Sequence, residues 1–431
     1  MHRITVYSSN IEKEALHATG FIIALVSLHL NTLRLWKTGP QRSIVLVRGE
    51  GNHVYDEEGK RYLDLQSGYW CNVLGYDNPK LVEPMQEQFK RLTNVMSAFS
   101  TNEIKEAMNQ LGKVLHPELD RISFLNSGSE AVDLALKIAR AATGKTGLVV
   151  NERGYYGATA YTYSLCADGR NTNYLPKPGE LHILPAPTHE NCEDWKCLEP
   201  LKKLVEDGNE NIAAIIYEPI IGAGIFVPDI GYGVQLRKYA DDLGALLISN
   251  EVTVSPAKSG KWFAHQHDNI VPDILTLGKA IGGGFPVSCM ITTGRVEEMC
   301  EDNIHHVQSH QNDALSGKAV STVIKTIKEE GLVDRCVEMG VYFLERFNEI
   351  KTDYECVIDA RGRGLLLALQ LGEEYAEKGE TIQWDLIEKG YLMDYHKVSN
   401  SFRFFPPFTV AHKEIDGFIK ALRESLSKHI S

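Results

Sequence analysis

The stretch "ISFLNSGSEAVDLALKIAR", residues 122–140, changes period halfway along. ISFL is a continuous apolar run of the kind that fills a strand covered on both faces, whereas the apolar residues from Ala131 onward recur at helical spacing. Between the two lie Ser127, Gly128 and Ser129, with Glu130 in the first turn of the expected helix. Small residues at a helix start leave backbone N–H groups open, and with the helix dipole these favour a phosphate or carboxylate. A simple Ser127 cap with no ligand accounts for the same letters.

Outward from this stretch the alternation repeats. GLVV (147–150), IAAIIYE (212–218) and ALLIS (245–249) are further apolar runs, separated by helix-period segments such as "YGVQLRKYADDLG". Continuous apolar strands separated by helices predict an α/β fold with a mostly parallel sheet covered on both faces. On the amino-terminal side, "GNHVYDEEGKRYLDLQSG" alternates about Glu58 and Gly59 and predicts a hairpin over about 52–65. Residues 79–117 and 316–351 have helical spacing. "CVIDARGRGLLLALQL" predicts a strand, a glycine turn and a strand, and helices are expected around "FRFFPPF" near the end of the chain. The expected organisation is an extension over 1–45, a small α+β domain from 46–85 with 331–431, and a large domain over 86–330.

The totals limit the function. The 431 residues are 43% hydrophobic and 24% charged, with a formal net charge of -12, which argues against a nucleic-acid surface. Eight scattered cysteines without paired metal spacing suggest reduced, buried thiols and a cytoplasmic protein. FIIALVSLHL (21–30) is too short to span a bilayer, and Glu12 and Glu14 ahead of it disfavour a secretory signal. An amphipathic helix packed on the body or on a partner subunit is expected there, with no membrane partner.

Two further positions carry chemistry. In "DILTLGKAIGGGFPVS" (273–288) Lys279 follows an apolar strand and precedes three glycines, so its amine is expected close to backbone and partly out of water. Desolvation lowers a lysine pKa, and a neutral amine can form a Schiff base. In "SNEVTVSPAKSGKWF" (249–263) Asn250 stands at the carboxyl end of a strand, where ligands of α/β proteins bind.

The set "NSGSEAVDLALKIAR", "GYYGAT", "AIIYEPIIGAGIFVP", "LLISNEV", "VPDILTLGKAIGGGFPV" and "FRFFPPF" resembles the class III aminotransferases, pyridoxal-phosphate enzymes of fold type I, in family order from about residue 50 to the end. The resemblance implies pyridoxal 5'-phosphate as cofactor, Lys279 as its Schiff-base lysine, Ser127, Gly128 and Ser129 at its phosphate, and Tyr155 stacked on its ring. It implies Glu218 as an active-site acid and Thr253 and Ser309 as further cofactor contacts, Ser309 reaching the neighbouring subunit of a homodimer. Arg403 would hold a substrate carboxylate, with Tyr69 and Trp70 lining the pocket for a small-molecule amino donor and keto acceptor.

The chain also departs from the family. An aspartate that pairs with the protonated ring nitrogen is replaced by Asn250, which can hydrogen-bond but cannot hold the charge. Thr253 and "VSPAK" replace a Gln and an Arg-containing glycine turn, "SHQNDAL" surrounds Ser309, and Tyr156 stands where a His is common. Three readings stay open: an aminotransferase that manages its ring nitrogen otherwise, a relative of other reaction type (racemisation, decarboxylation or side-chain substitution), and a silent fold. Lys279 argues against the last.

Overall fold

The computed structural model of the protein describes residues 42–166, 173–176, 178–301 and 304–430. The expected helix at 21–30 lies outside the described residues. The strands, in chain order, are β1 Leu46–Glu50, β2 His53–Asp56, β3 Arg61–Asp64, β4 Arg121–Leu125, β5 Gly147–Asn151, β6 Leu181–Leu184, β7 Ile212–Tyr217, β8 Leu246–Asn250, β9 Ile274–Leu277, β10 Ser288–Thr292, β11 Val357–Arg363, β12 Leu366–Leu371, β13 Tyr391–Leu392, β14 Asp394–His396 and β15 Ser401–Phe404.

The apolar runs form the central sheet, in the order β4-β10-β9-β8-β7-β5-β6. Pairing is parallel from β9 through β6, and β10 alone runs against both of its neighbours. Every residue of β5, β7, β8 and β9 is buried, which is why these strands read as unbroken apolar runs rather than as alternation. β4 runs in the same direction as β5, β7, β8 and β9, so the carboxyl ends of all five open on one edge. In open α/β sheets the ligand binds in the crevice at that edge.

Two smaller sheets flank the chain ends. The hairpin of β2 and β3 forms where expected and is extended by β1 and, in parallel, by β13 from near the carboxyl end. The second sheet has the order β11-β12-β15-β14 and is antiparallel throughout.

Three expectations are corrected. The helical stretch at 79–117 is two helices, Pro79–Arg91 and Asn102–Gly112, because Leu92 turns extended and the Thr101 hydroxyl caps the second by accepting from the Ile104 N–H. The stretch at 316–351 likewise breaks into Ala314–Glu329 and Leu332–Asp353 at Gly331, whose φ of 62° only glycine adopts without strain. FRFF is a strand and not a helix: Phe402 and Phe404 are fully buried, and Phe404 packs on Phe343, Phe347 and Phe418. A four-residue strand is too short for its period of two to outweigh the surrounding helical signal. The reading of all eight cysteines as reduced is also revised. Cys192 and Cys197 are joined as a disulfide across a short turn, and the other six form no disulfide.

Candidate active site

A cavity of about 300 Å³ opens at the carboxyl edge of the central sheet. It is lined by residues from all six of the sequence motifs and from the turn at Tyr69 and Trp70. At its centre is Lys279, immediately beyond β9. Its backbone is left-handed, φ 47°, a conformation that costs a side-chain-bearing residue about 1–3 kcal/mol and clusters at functional sites. The ammonium donates to the Thr253 hydroxyl at 3.1 Å and sits 4.2 Å from the centroid of the Trp70 ring. Burial pushes its pKa down to about 8, against the opposing pull of the Glu218 carboxylate.

Glu218 follows β7 and is itself buried, which pushes its pKa up to about 7. Its two oxygens accept from the backbone N–H groups of Tyr155, at 2.6 Å, and Gly222, at 2.9 Å. Asn250, the last residue of β8, is 4% exposed. Its Nδ2 donates to the Tyr155 carbonyl at 3.2 Å, and its Oδ1 accepts from the Thr276 hydroxyl at 3.1 Å. Tyr155 is therefore clamped through its backbone by Asn250 on one side and Glu218 on the other. The adjacent Glu251 points the opposite way along the strand, where its carboxylate accepts from the Ala264 and His265 N–H groups and meets the His265 ring at 2.8 Å. It anchors the following loop and takes no part in the cavity.

On the far side is the amino terminus of the helix Gly128–Thr143. The Ser127 hydroxyl accepts from the Glu130 N–H and caps the helix, so its side chain is turned away from the cavity, while Gly128 and Ser129 line it. A Cβ at Gly128 would stand 2.5 Å from Val252 Cγ1, so only glycine lets the helix start approach the loop after β8. First-turn N–H groups have no intrahelical partner and carry the positive end of the dipole.

The substrate-side wall is aromatic and charged. Tyr69 and Trp70 are stacked, ring centroids 5.1 Å apart, on a turn whose residues 67–70 all have positive φ, and Trp70 rests on Phe405 at 4.0 Å. Arg403 is buried beneath Trp70, its guanidinium carbon 5.2 Å from that ring's centroid. Its Nε donates to Asp394 Oδ2 at 2.7 Å, its Nη2 to the same oxygen, and its Nη1 to the Gly222 carbonyl at 2.7 Å.

Of the residues singled out from the sequence, Tyr69, Trp70, Gly128, Ser129, Tyr155, Glu218, Asn250, Thr253, Lys279 and Arg403 meet in this one cavity. Ser127 contributes its cap, and Ser309 lies exposed outside, its carbonyl accepting from Asn94 at 2.9 Å. Sequence reading missed His396 and Gly222, which line the cavity, and Asp394, which fills one edge of Arg403. Asp394 had a weak signal only: it stands nine residues before Arg403 across a turn. Lys258, in the same loop as Thr253, was missed as well. It is fully buried, its Nζ has no hydrogen-bond partner, and it lies 5.5 Å from the Phe405 centroid without lining the cavity.

The arrangement suits a phosphorylated aldehyde with an aromatic ring. It offers an anion cradle, an amine of lowered pKa, a tyrosine face and an amide at the strand end. Comparison with known proteins agrees. The family model for aminotransferase class-III matches residues 37–426. The chain is 32% identical over 389 residues to an aminoadipate semialdehyde/glutamate semialdehyde transaminase of Sulfolobus acidocaldarius, covering 90% of this chain and 96% of that protein. It is 31% identical over 390 residues to acetylornithine aminotransferase of Mycobacterium tuberculosis, covering 90% and 92%. Among solved structures, an amine transaminase from an uncultivated Pseudomonas species in its pyridoxal-phosphate-bound form superposes with a TM-score of 0.86, 24% identity and coverage of 93% and 99%. A Bacillus anthracis aminotransferase gives 0.85, 26%, and coverage of 92% and 96%.

Proposed function

The chain belongs to the class III aminotransferase family, whose fold is type I and whose cofactor is pyridoxal 5'-phosphate, and from that membership we propose that Lys279 carries the transfer of an amino group from a small amino acid or amine to a keto acceptor. The observation that carries the assignment of Lys279 is its ammonium, desolvated to a pKa of about 8 in the cavity that also holds the helix start at Gly128 and Ser129.

When bound, the cofactor supplies an aldehyde that takes up the amine nitrogen and a ring that withdraws electrons from the reacting carbon. The residues do the rest. Gly128 and Ser129 would bind the phosphate through N–H groups at the helix start. The Tyr155 face would position the ring, and the Asn250 amide would meet its nitrogen. Lys279 holds and moves a proton at Nζ, with a pKa close enough to neutrality for both directions, and the Thr253 hydroxyl orients it. Trp70 and Tyr69 exclude water from the substrate side. The test is to load the protein with cofactor, add single amines or amino acids, and follow the absorbance together with the carbonyl product. Conversion of cofactor to its aminated form supports the reading, and return of unaltered cofactor with an inverted or decarboxylated substrate sinks it.

Asn250 gives a separate prediction. Asn250→Asp would set a carboxylate oxygen 3.2 Å from the Tyr155 carbonyl in place of an N–H donor. Cofactor-free protein is expected to lose about 1–3 kcal/mol, the cost of a buried group left without its partner. Loaded protein should lose less, because the carboxylate then meets a ring nitrogen that it can hold protonated. Thermal midpoints of both forms measure this. Equal losses would mean that position 250 does not face the ring.

The assembly belongs to the same proposal: a cytoplasmic homodimer with a shared site. Ser309 stands outside its own cavity, and Met96, Phe99 and Val307 are each more than 60% exposed on the two segments that the Asn94–Ser309 bond ties together. A second copy of the chain would cover them. Light scattering should return twice the chain mass, and a monomer would sink the shared site. No described helix is long and apolar enough to cross a membrane.

A further inference from the structure

Arg403 is already neutralised. Strands β14 and β15 pair in antiparallel register with Asp394 directly opposite Arg403, so the partnership is set by the sheet and not by a chance rotamer. One carboxylate oxygen of Asp394 takes both the Nε and an Nη2 proton, and the Gly222 carbonyl takes one from Nη1. Three of the five guanidinium donors are thus occupied, and those left can donate to a neutral oxygen but offer an anion no net charge. The Asp394 side chain is about a quarter exposed and that of Arg403 hardly at all, so the pair is closed from the protein side and wetted at its carboxylate.

The other charges facing this half of the cavity work in the same direction. Glu218 hangs on the Gly222 N–H, whose carbonyl Arg403 holds, and its carboxylate shares the cavity with Lys279. Once the Lys279 amine is engaged by the cofactor, the ionisable groups lining the substrate side are Glu218, His396 and Arg403, and Asp394 beside the cavity already holds the charge of Arg403. A carboxylate on the reacting carbon would have to compete with Asp394, which is held at high effective concentration, and sit near a second acid. A primary amine without that carboxylate meets no such penalty, and the Tyr69 and Trp70 rings accept an alkyl or aryl group in its place.

We propose that Asp394 is the specificity-determining residue of this site: by filling the Nε edge of Arg403 it directs the enzyme to primary amines whose reacting carbon carries no carboxylate. This rests on the aminotransferase reading above and narrows its substrate class.

The experiment compares two donors that differ only in the carboxylate, propylamine and L-2-aminobutyrate, in single half-reactions of the cofactor-loaded protein. Wild-type protein should favour propylamine in kcat/KM. In Asp394→Asn the ratio should move toward L-2-aminobutyrate by about tenfold or more, mainly through KM, since like-charge contact is what is removed. Butyrate, which has a carboxylate and no amine, is titrated into loaded wild type and variant by calorimetry and should bind the variant about tenfold more tightly. A ratio and a butyrate affinity that both stay within a factor of two overturn the proposal, as does an equal fall for both donors, which would make the pair merely structural. Should the Asn variant not fold, Asp394→Ser and the wild-type preference decide, and a wild type that favours L-2-aminobutyrate overturns it. If wild type converts neither donor, the aminotransferase reading fails, while the butyrate titration still decides whether Asp394 closes Arg403 to carboxylates.

Discussion

Replacing Lys279 by alanine is expected to lower the rate of amino-group transfer by at least about a thousandfold, because one side chain supplies both the nucleophilic amine and the proton carrier. No neighbouring group can substitute. Thr253, the hydrogen-bond partner of Lys279, is a hydroxyl; Glu218 has both oxygens committed to backbone N–H groups; and Lys258, the other buried amine, lies against Phe405 and does not line the cavity. The loss should therefore not be recovered at higher pH. Folding should survive, because alanine at φ 47° is no more strained than lysine and the variant no longer buries an ammonium. Single-turnover absorbance with one amine reads the rate, and a thermal midpoint checks the fold. A correctly folded variant keeping a tenth of the rate would remove Lys279 from the chemistry.

The parts of this protein that could be read from its letters are those in which one physical signal dominates. β5, β7, β8 and β9 are buried along their whole length, so their sequence is apolar without interruption and no alternative competes. The hairpin at 52–65 carries alternation on both arms and a turn at Glu58 and Gly59. Lys279 was visible because its flanks are a buried strand and a glycine run, neither of which suits a solvated lysine. What stayed hidden depends on partners distant in sequence or on a few residues against a longer pattern. FRFF is a strand because β12 and β14 pair with it, and nothing within four residues says so. The breaks at Leu92 and Gly331 interrupt spacing that is helical on both sides. Arg403 was recognised as a carboxylate holder by resemblance, but its binding edge is taken by Asp394, an acid whose register opposite Arg403 exists only once the second sheet forms. Ser309, expected to reach the cofactor of the neighbouring subunit, lies outside the cavity of its own chain.

Lys258 is the strongest case of a residue that sequence alone would leave on the surface, and it gives the largest expected change in stability. Its ammonium is fully buried without a hydrogen-bond partner, and burial brings its pKa from the usual 10.5 down to about 7. The sign follows from proton counting. Below pH 7 folded and unfolded chains both carry the proton, and the full cost of desolvating the charge falls on the folded state. Between pH 7 and 10.5 the unfolded chain keeps a proton that the folded one has released, so stability rises with pH, and above that window the penalty is gone. Methionine is similar in length, fills the space beside Phe405 and carries no charge. Lys258→Met is therefore expected to stabilise cofactor-free protein at pH 6.5 by on the order of 4 kcal/mol, the free energy corresponding to that displacement of the pKa. The advantage over wild type should shrink steadily as the pH is raised toward 10.5. Lys279 titrates in the same range and its charge adds to the lowering of the Lys258 pKa, so the gain includes relief of the repulsion between the two amines. Denaturant unfolding of the two proteins at pH 6.5, 8 and 10 measures the effect. A gain that stays constant with pH would show that packing and not charge is at issue, and a loss at pH 6.5 would show that the Lys258 ammonium has a stabilising partner in the folded chain.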